Sequence, residues 1–351
     1  MKRRELTFFA AFGIYHLLFA IVAWQYNLTN PSDAYNYWHL NENWTSYFNV
    51  GTDVIKLINY PFSKILGLPF WSGFILYSMI GYYAIFELYK FAQKYINPVN
   101  IIIKYLLIGF FLLPNLHFWT SVIGKEPVVF LAITWIIIQQ SREKYFSCKN
   151  ISGWVLLILI RPHVALFMLL AIVITYIIKD KKMNLRKSLV IVVCGLLCVC
   201  LYVLTLQLLN RNPLDIAYIL ERNNASLIAF QRAGSYVPMI DYNMAERLFA
   251  LNFRPLFFDS HSVYGLILSI ENLLTILLFI YILFLLIKSY RFLKLDSFAR
   301  VSILFFVISS LFFIQRYSCL GIFVRTKVMY MPFVVIVAIQ LINSGIKKCA
   351  K

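Results

Sequence analysis

An apolar run from Ile151 to Ile178 is interrupted once, by Arg161-Pro162-His163, and both of its ends are flanked by basic segments, SREKYFSCKN (Ser141 to Asn150) and KDKKMNLRK (Lys179 to Lys187). Basic flanks mark the cytoplasmic side of a membrane, so the run must leave the cytoplasm and return to it. The residues from Ile151 to Ile160 rise only about 15 Å as a helix, roughly half of a 30 Å hydrocarbon core. Arg161 then falls below the outer surface. An arginine at that depth costs about 2.5 to 3.5 kcal/mol, which predicts a wet cavity or an anionic partner beside it.

The composition agrees with a membrane setting. Hydrophobic residues make up 61% of 351 residues, charged residues 14%, and the mean hydropathy is +0.74. These values exclude an ordinary soluble domain and predict one integral membrane domain spanning residues 1–351. A net charge of +18 would suggest nucleic acid in a soluble chain. Here 20 of the 33 Lys and Arg fall in segments assigned to the cytoplasm, so the charge reads as an orientation signal and no nucleic acid is expected. Three of the six cysteines, Cys194, Cys198 and Cys200, share one apolar run, and no disulfide framework is predicted. The opening MKRRE and the apolar Leu6 to Trp24 read as a retained first span.

The fold class expected is all-α and polytopic, with about ten transmembrane helices near residues 6–26, 69–88, 100–117, 126–140, 151–161, 163–178, 188–209, 264–287, 301–315 and 328–344. Both termini are expected to be cytoplasmic. Several spans are short, which suggests a thinned or re-entrant region. Two outer loops are long: residues 26–68, where VIKLINYPFSKIL suits a helix lying in the interface, and residues 210–262, rich in both arginine and acids. Four of the five histidines, His39, His117, His163 and His261, map to outer turns, while His16 lies inside a span. Chemistry is therefore expected on the outer face.

Candidate site residues gather in those outer segments. Asp33 in SDAY follows the first span; its carboxylate could accept or orient a proton from a hydroxyl, or be a solvated loop residue or helix cap. Glu126 is the second candidate base, ahead of Glu42 and Asp53. The turn LPNLHFWTSVIGKEP holds His117, Lys125 and Glu126 between two spans, as substrate ligands or as a Lys–Glu pair that neutralises itself. Trp119 could stack on a sugar or belong to the aromatic belt. Arg161, Arg254 and Arg325 carry guanidinium forks suited to phosphate oxygens, unless each pairs with an acid such as Glu271 or Asp259. His163 could donate to the same group. No P-loop, GxGxxG, HExxH, GxSxG or DxD occurs, so no cofactor is expected, and a divalent metal, while open, has no motif to hold it.

The order SDAYNYW, HFWTSVIGKEP, LIRPHVA, FRPLFFD with SIENLL, and VRTKVMYMPF resembles bacterial membrane proteins of surface-polysaccharide loci, similar in character to O-antigen polymerases and C-type membrane glycosyltransferases. The likeness is one of pattern and order over most of the chain. It implies a bacterial cytoplasmic membrane, a sugar donor on polyprenyl phosphate or pyrophosphate, a glycan hydroxyl acceptor, and contacts with other polysaccharide assembly proteins. It also implies Asp33 as the acceptor-side carboxylate, with Arg161, Arg254 and Arg325 on the lipid phosphate. The chain departs from the pattern in having one early acid without an adjacent second, and no large C-terminal soluble domain. The alternatives are a transporter or flippase of lipid-linked sugars and a non-catalytic subunit of an assembly complex.

Overall fold

A computed structural model describes residues 3–30, 33–179, 184–208, 215–260, 262–288 and 295–349. His261, Arg211 and most of the basic stretch Lys179 to Lys187 lie outside those residues or at their edge. Every regular element among the described residues is a helix. In chain order they are α1 (Arg3–Thr29), α2 (Asp33–Trp38), α3 (Asp53–Tyr60), α4 (Phe70–Ile96), α5 (Ile101–Phe111), α6 (Pro114–Trp119), α7 (Lys125–Ser141) and α8 (Cys148–Ile160). There follow α9 (Pro162–Lys179), α10 (Leu185–Leu208), α11 (Ile216–Ile228), α12 (Met244–Phe253), α13 (Val263–Lys288), α14 (Ser297–Phe313), α15 (Leu320–Lys327) and α16 (Met331–Cys349).

Each predicted apolar run has a helix on it, and local chemistry sets several ends. Asn97 leaves α4 with a φ of 44°, the left-handed conformation that asparagine tolerates. Ser147 caps α8 by accepting from Asn150 N, and Asp296 caps α14 by accepting from Ala299 N. Asn243 and Glu246 form a reciprocal capping box at the start of α12. Arg161 ends α8 with non-helical backbone, and Pro162 opens α9, where its missing N–H leaves no helical bond unmade. The interruption read from the sequence is thus a true helix break.

Three helical stretches are long and apolar enough to cross a membrane: Phe8–Thr29, Lys187–Leu208 and Val263–Ile287. A fourth exists if α15 and α16, which meet at a 58° bend, form one broken span. Other apolar helices, among them α8, α9 and α14, are shorter. Only 11% of the most apolar window of α10 and 17% of that of α13 is buried inside the protein. Their outward faces are therefore greasy surface that water would not tolerate at this extent, and lipid is the fitting solvent. The fold is that of a membrane-embedded helical protein.

The chain divides into two compact units, Met1–Lys94 with Ile108–Arg161, and Tyr95–Leu107 with Pro162–Lys351. In the first, α7 and α8 form a tightly packed hairpin: a Cβ on Gly153 of α8 would lie 2.9 Å from the Ala132 carbonyl of α7. Phe9 and Phe12 of α1 meet Tyr82, Phe86 and Tyr89 of α4, and Tyr82 donates its hydroxyl to Phe9 O at 2.7 Å. In the second unit, α9 packs between α10 and α14, and α16 against α13 and α14. Asn343 of α16 pins the chain after α4 by donating to Ile96 O at 2.6 Å and accepting from Val99 N at 3.1 Å.

Candidate functional site

Arg161 has an anionic partner, and it is Glu126, an acid the sequence did not single out for that pairing. Its carboxylate accepts from Arg161 Nη2 at 2.5 Å, and the Glu126 side chain is 1% exposed. The antiparallel hairpin explains the meeting, because the first turn of α7 and the last residue of α8 lie at the same end. Each charge also suits its helix terminus, a carboxylate at the positive N-terminus and a guanidinium at the negative C-terminus. Arg161 Nε is buried with no hydrogen-bond partner among the described residues. The pair is a charged junction in the first unit, with one guanidinium donor still unused.

The first long loop, residues 30–69, bonds to both ends of this junction. Gly51 N donates to Leu159 O at 2.7 Å, next to the end of α8, and Lys125 Nζ donates to Thr52 Oγ1 at 2.7 Å. Lys125 and Glu126 thus reach Thr52 and Arg161 respectively. Tyr37 of α2 is buried, and its ring and Glu126 Oε2 both approach Gly124, where a Cβ would lie 3.6 Å from Tyr37 and 3.2 Å from the carboxylate oxygen. Asn59 of α3 holds α2 in place by donating to Tyr37 O at 2.9 Å while accepting from Tyr77 OH of α4 at 2.9 Å. Trp38 Nε1 adds a bond to Leu68 O at 3.1 Å.

Asp33 opens α2 and is exposed. It lies four residues before Tyr37, so the two share a helix face. Asp33 is thus the exposed start of a helix whose buried Tyr37 approaches Gly124, two residues before Glu126. Of the weaker acid candidates in this loop, Asp53 pairs with Lys56 at 2.9 Å, and Glu42 is exposed, its backbone N–H donating to Tyr47 OH at 3.1 Å.

His117 has a different setting from the outer turn expected. It is fully buried, with Nδ1 2.8 Å from His16 Nδ1 and Nε2 2.7 Å from Phe111 O. Both ring nitrogens are committed to protein partners. His16, the histidine noted inside the first span, is the other half of this pair; its apolar surroundings were visible in the sequence, its partner was not.

In the second unit, Arg254 Nε and Nη2 donate to Asp259, and Nη1 donates to Tyr242 OH at 3.0 Å. Hydrogen bonds to the Asp259 carboxylate push the guanidinium pKa above its usual value. Arg254 takes the acid-paired alternative raised from the sequence, with Asp259 as the acid. Lys327 Nζ donates to Arg254 O at 3.0 Å and Asn272 Oδ1 at 2.7 Å, and Asn272 donates to Pro255 O at 2.7 Å. The FRP segment is therefore clamped from α13 and α15. Arg325 is half-buried on α15, and His163, half-buried at the start of α9, makes ring contacts with Phe167 and Phe313.

Among the described residues no three His, Cys, Asp or Glu side chains gather as a metal site. Compared with known protein families, characterised proteins and solved structures, the chain matches none.

Proposed function

We propose that the protein is a membrane glycosyltransferase or polysaccharide polymerase that moves a sugar or oligosaccharide from a polyprenyl phosphate or pyrophosphate to a glycan hydroxyl, on the outer face of a bacterial cytoplasmic membrane. The observation that carries this reading is the junction in the first unit. There a buried arginine, Arg161, keeps a spare donor at Nε beside Glu126, and an exposed carboxylate, Asp33, opens the anchored helix α2 of the same unit. In this reading Asp33 takes or orients the acceptor's hydroxyl proton. Arg161 and Lys125 stabilise the charge of the departing phosphate, where preorganised donors in a water-poor site contribute most. Glu126, already bonded to Arg161, orients that guanidinium. Arg254, with its guanidinium taken up by Asp259 and Tyr242, has a structural role.

A second reading, a transporter of lipid-linked sugars, is favoured by the 58° bend between α15 and α16 with the buried Lys327 beside it, since broken helices with buried charge recur in transporters. Deletion of the gene followed by analysis of lipid-linked and surface glycans separates the two. A transferase deletion accumulates the donor on the outer leaflet and loses the extended glycan. Accumulation confined to the inner leaflet favours transport, and unchanged glycans in both pools contradict both readings.

A further inference from the structure

We propose that His16 and His117 form a binding site for one proton, buried between α1, α4 and the α6 turn and separate from the junction at Arg161. The inference rests on where hydrogens can sit. His117 Nε2 is 2.7 Å from Phe111 O, and a carbonyl has no hydrogen to give, so this nitrogen must carry one. The contact of 2.8 Å between the two Nδ1 atoms requires a second hydrogen. His16 Nε2 then faces two oxygens, the Ser78 carbonyl at 3.0 Å and the Ser121 hydroxyl at 3.2 Å.

Two arrangements satisfy these contacts, and they differ by one proton. Without the extra proton, Ser121 donates to His16 Nε2, His16 Nδ1–H donates to His117 Nδ1, and the Ser78 carbonyl faces a lone pair. With it, His16 Nε2–H donates to the nearer Ser78 carbonyl, and the two imidazoles carry three hydrogens and one positive charge. The incoming proton breaks the Ser121 bond and forms the Ser78 bond. At 3.0 Å the Ser78 carbonyl stands within hydrogen-bond reach of His16 Nε2, as the proton-bound form needs.

The surroundings suit a shared proton. The ionisable groups facing the pair are Tyr15 from α1 and Tyr82 from α4; each donates its hydroxyl to a backbone carbonyl, Leu112 O at 2.8 Å and Phe9 O at 2.7 Å. Neither competes for the imidazole hydrogens. Phe12, Phe19 and Tyr15 enclose the His117 ring. No carboxylate contacts either histidine among the described residues, so the two carbonyl oxygens and the second imidazole must hold the charge.

Nitrogen NMR of the full-length protein, labelled at histidine and held in bilayers, tests the proposal directly. A coupling across the hydrogen bond between two imidazole nitrogens identifies the pair among the five histidines. As the pH is lowered from neutral to strongly acidic, one nitrogen should change from lone-pair-bearing to proton-bearing, leaving three protonated nitrogens in the pair. Ser121→Ala removes the hydroxyl that donates in the proton-free form and should move this transition to higher pH. Two neutral rings throughout the range, or a transition that Ser121→Ala leaves in place or lowers, would overturn it.

Discussion

The Glu126–Arg161 pair is where stability and chemistry can be told apart. Breaking a buried pair from one side leaves a lone charge, so Glu126→Gln should lower stability by about 3–5 kcal/mol in denaturation of the detergent-solubilised protein. Replacing both partners together, as Glu126→Leu with Arg161→Met, removes both charges and should restore most of that loss, since apolar substitutes for a buried pair are often neutral or better by about 1–4 kcal/mol. If the pair only holds the hairpin together, the double variant stays active. The proposed reading expects it to be folded and inactive, and expects Arg161→Lys to lose transfer as well, because an ammonium cannot reproduce the guanidinium's separate donors.

At the scale of elements, α4 and the turn after α6 meet more closely than any side chain permits. A Cβ on Gly81 would lie 2.0 Å from the Thr120 carbonyl, a backbone atom that cannot swing away. Gly81→Ala should therefore cost about 1–3 kcal/mol through forced separation. Gly109, in α5, faces open space, and Gly109→Ala should be neutral or stabilising by up to about 1 kcal/mol from helix propensity alone. Equal melting shifts for the two alanine variants would contradict this account of the packing.

The same elements show what could be read in advance. Helices such as α7, α10 and α13 were legible because continuous apolar runs leave no other choice, and the α8–α9 break because Pro162 and a charged residue share one point. The amphipathic stretch at α3 was also visible. The short α11, α12 and α15 were not, since their mixed sequences resemble loop. The pairings were hidden for a different reason. His16 and His117 lie 101 residues apart, and Arg161 and Glu126 lie 35 apart. Such distances carry no local periodicity. Asp259, by contrast, lies five residues from Arg254, which is why it could be named as an acid partner.

For the whole molecule, the poorly buried faces of α10 and α13 suit a surrounding bilayer, and the lysine-rich stretch before α10 sets their proposed direction. Reporter fusions after Lys182 should read cytoplasmic, and fusions near Asn224 should read external. A cytoplasmic Asn224 would put the second long loop on the wrong side. The most direct measurement is glycan extension by purified protein in liposomes carrying a polyprenyl-linked oligosaccharide donor and a glycan acceptor, with wild type beside Asp33→Asn. Asparagine keeps the size of the side chain and its hydrogen-bond acceptor but cannot take up a proton at ordinary pH. Wild type should form new glycosidic bonds while the folded Asp33→Asn variant is about a hundredfold slower or worse, the usual scale of general-base assistance. Equal extension by both proteins, or wild type that only moves the donor across the bilayer, would contradict the account.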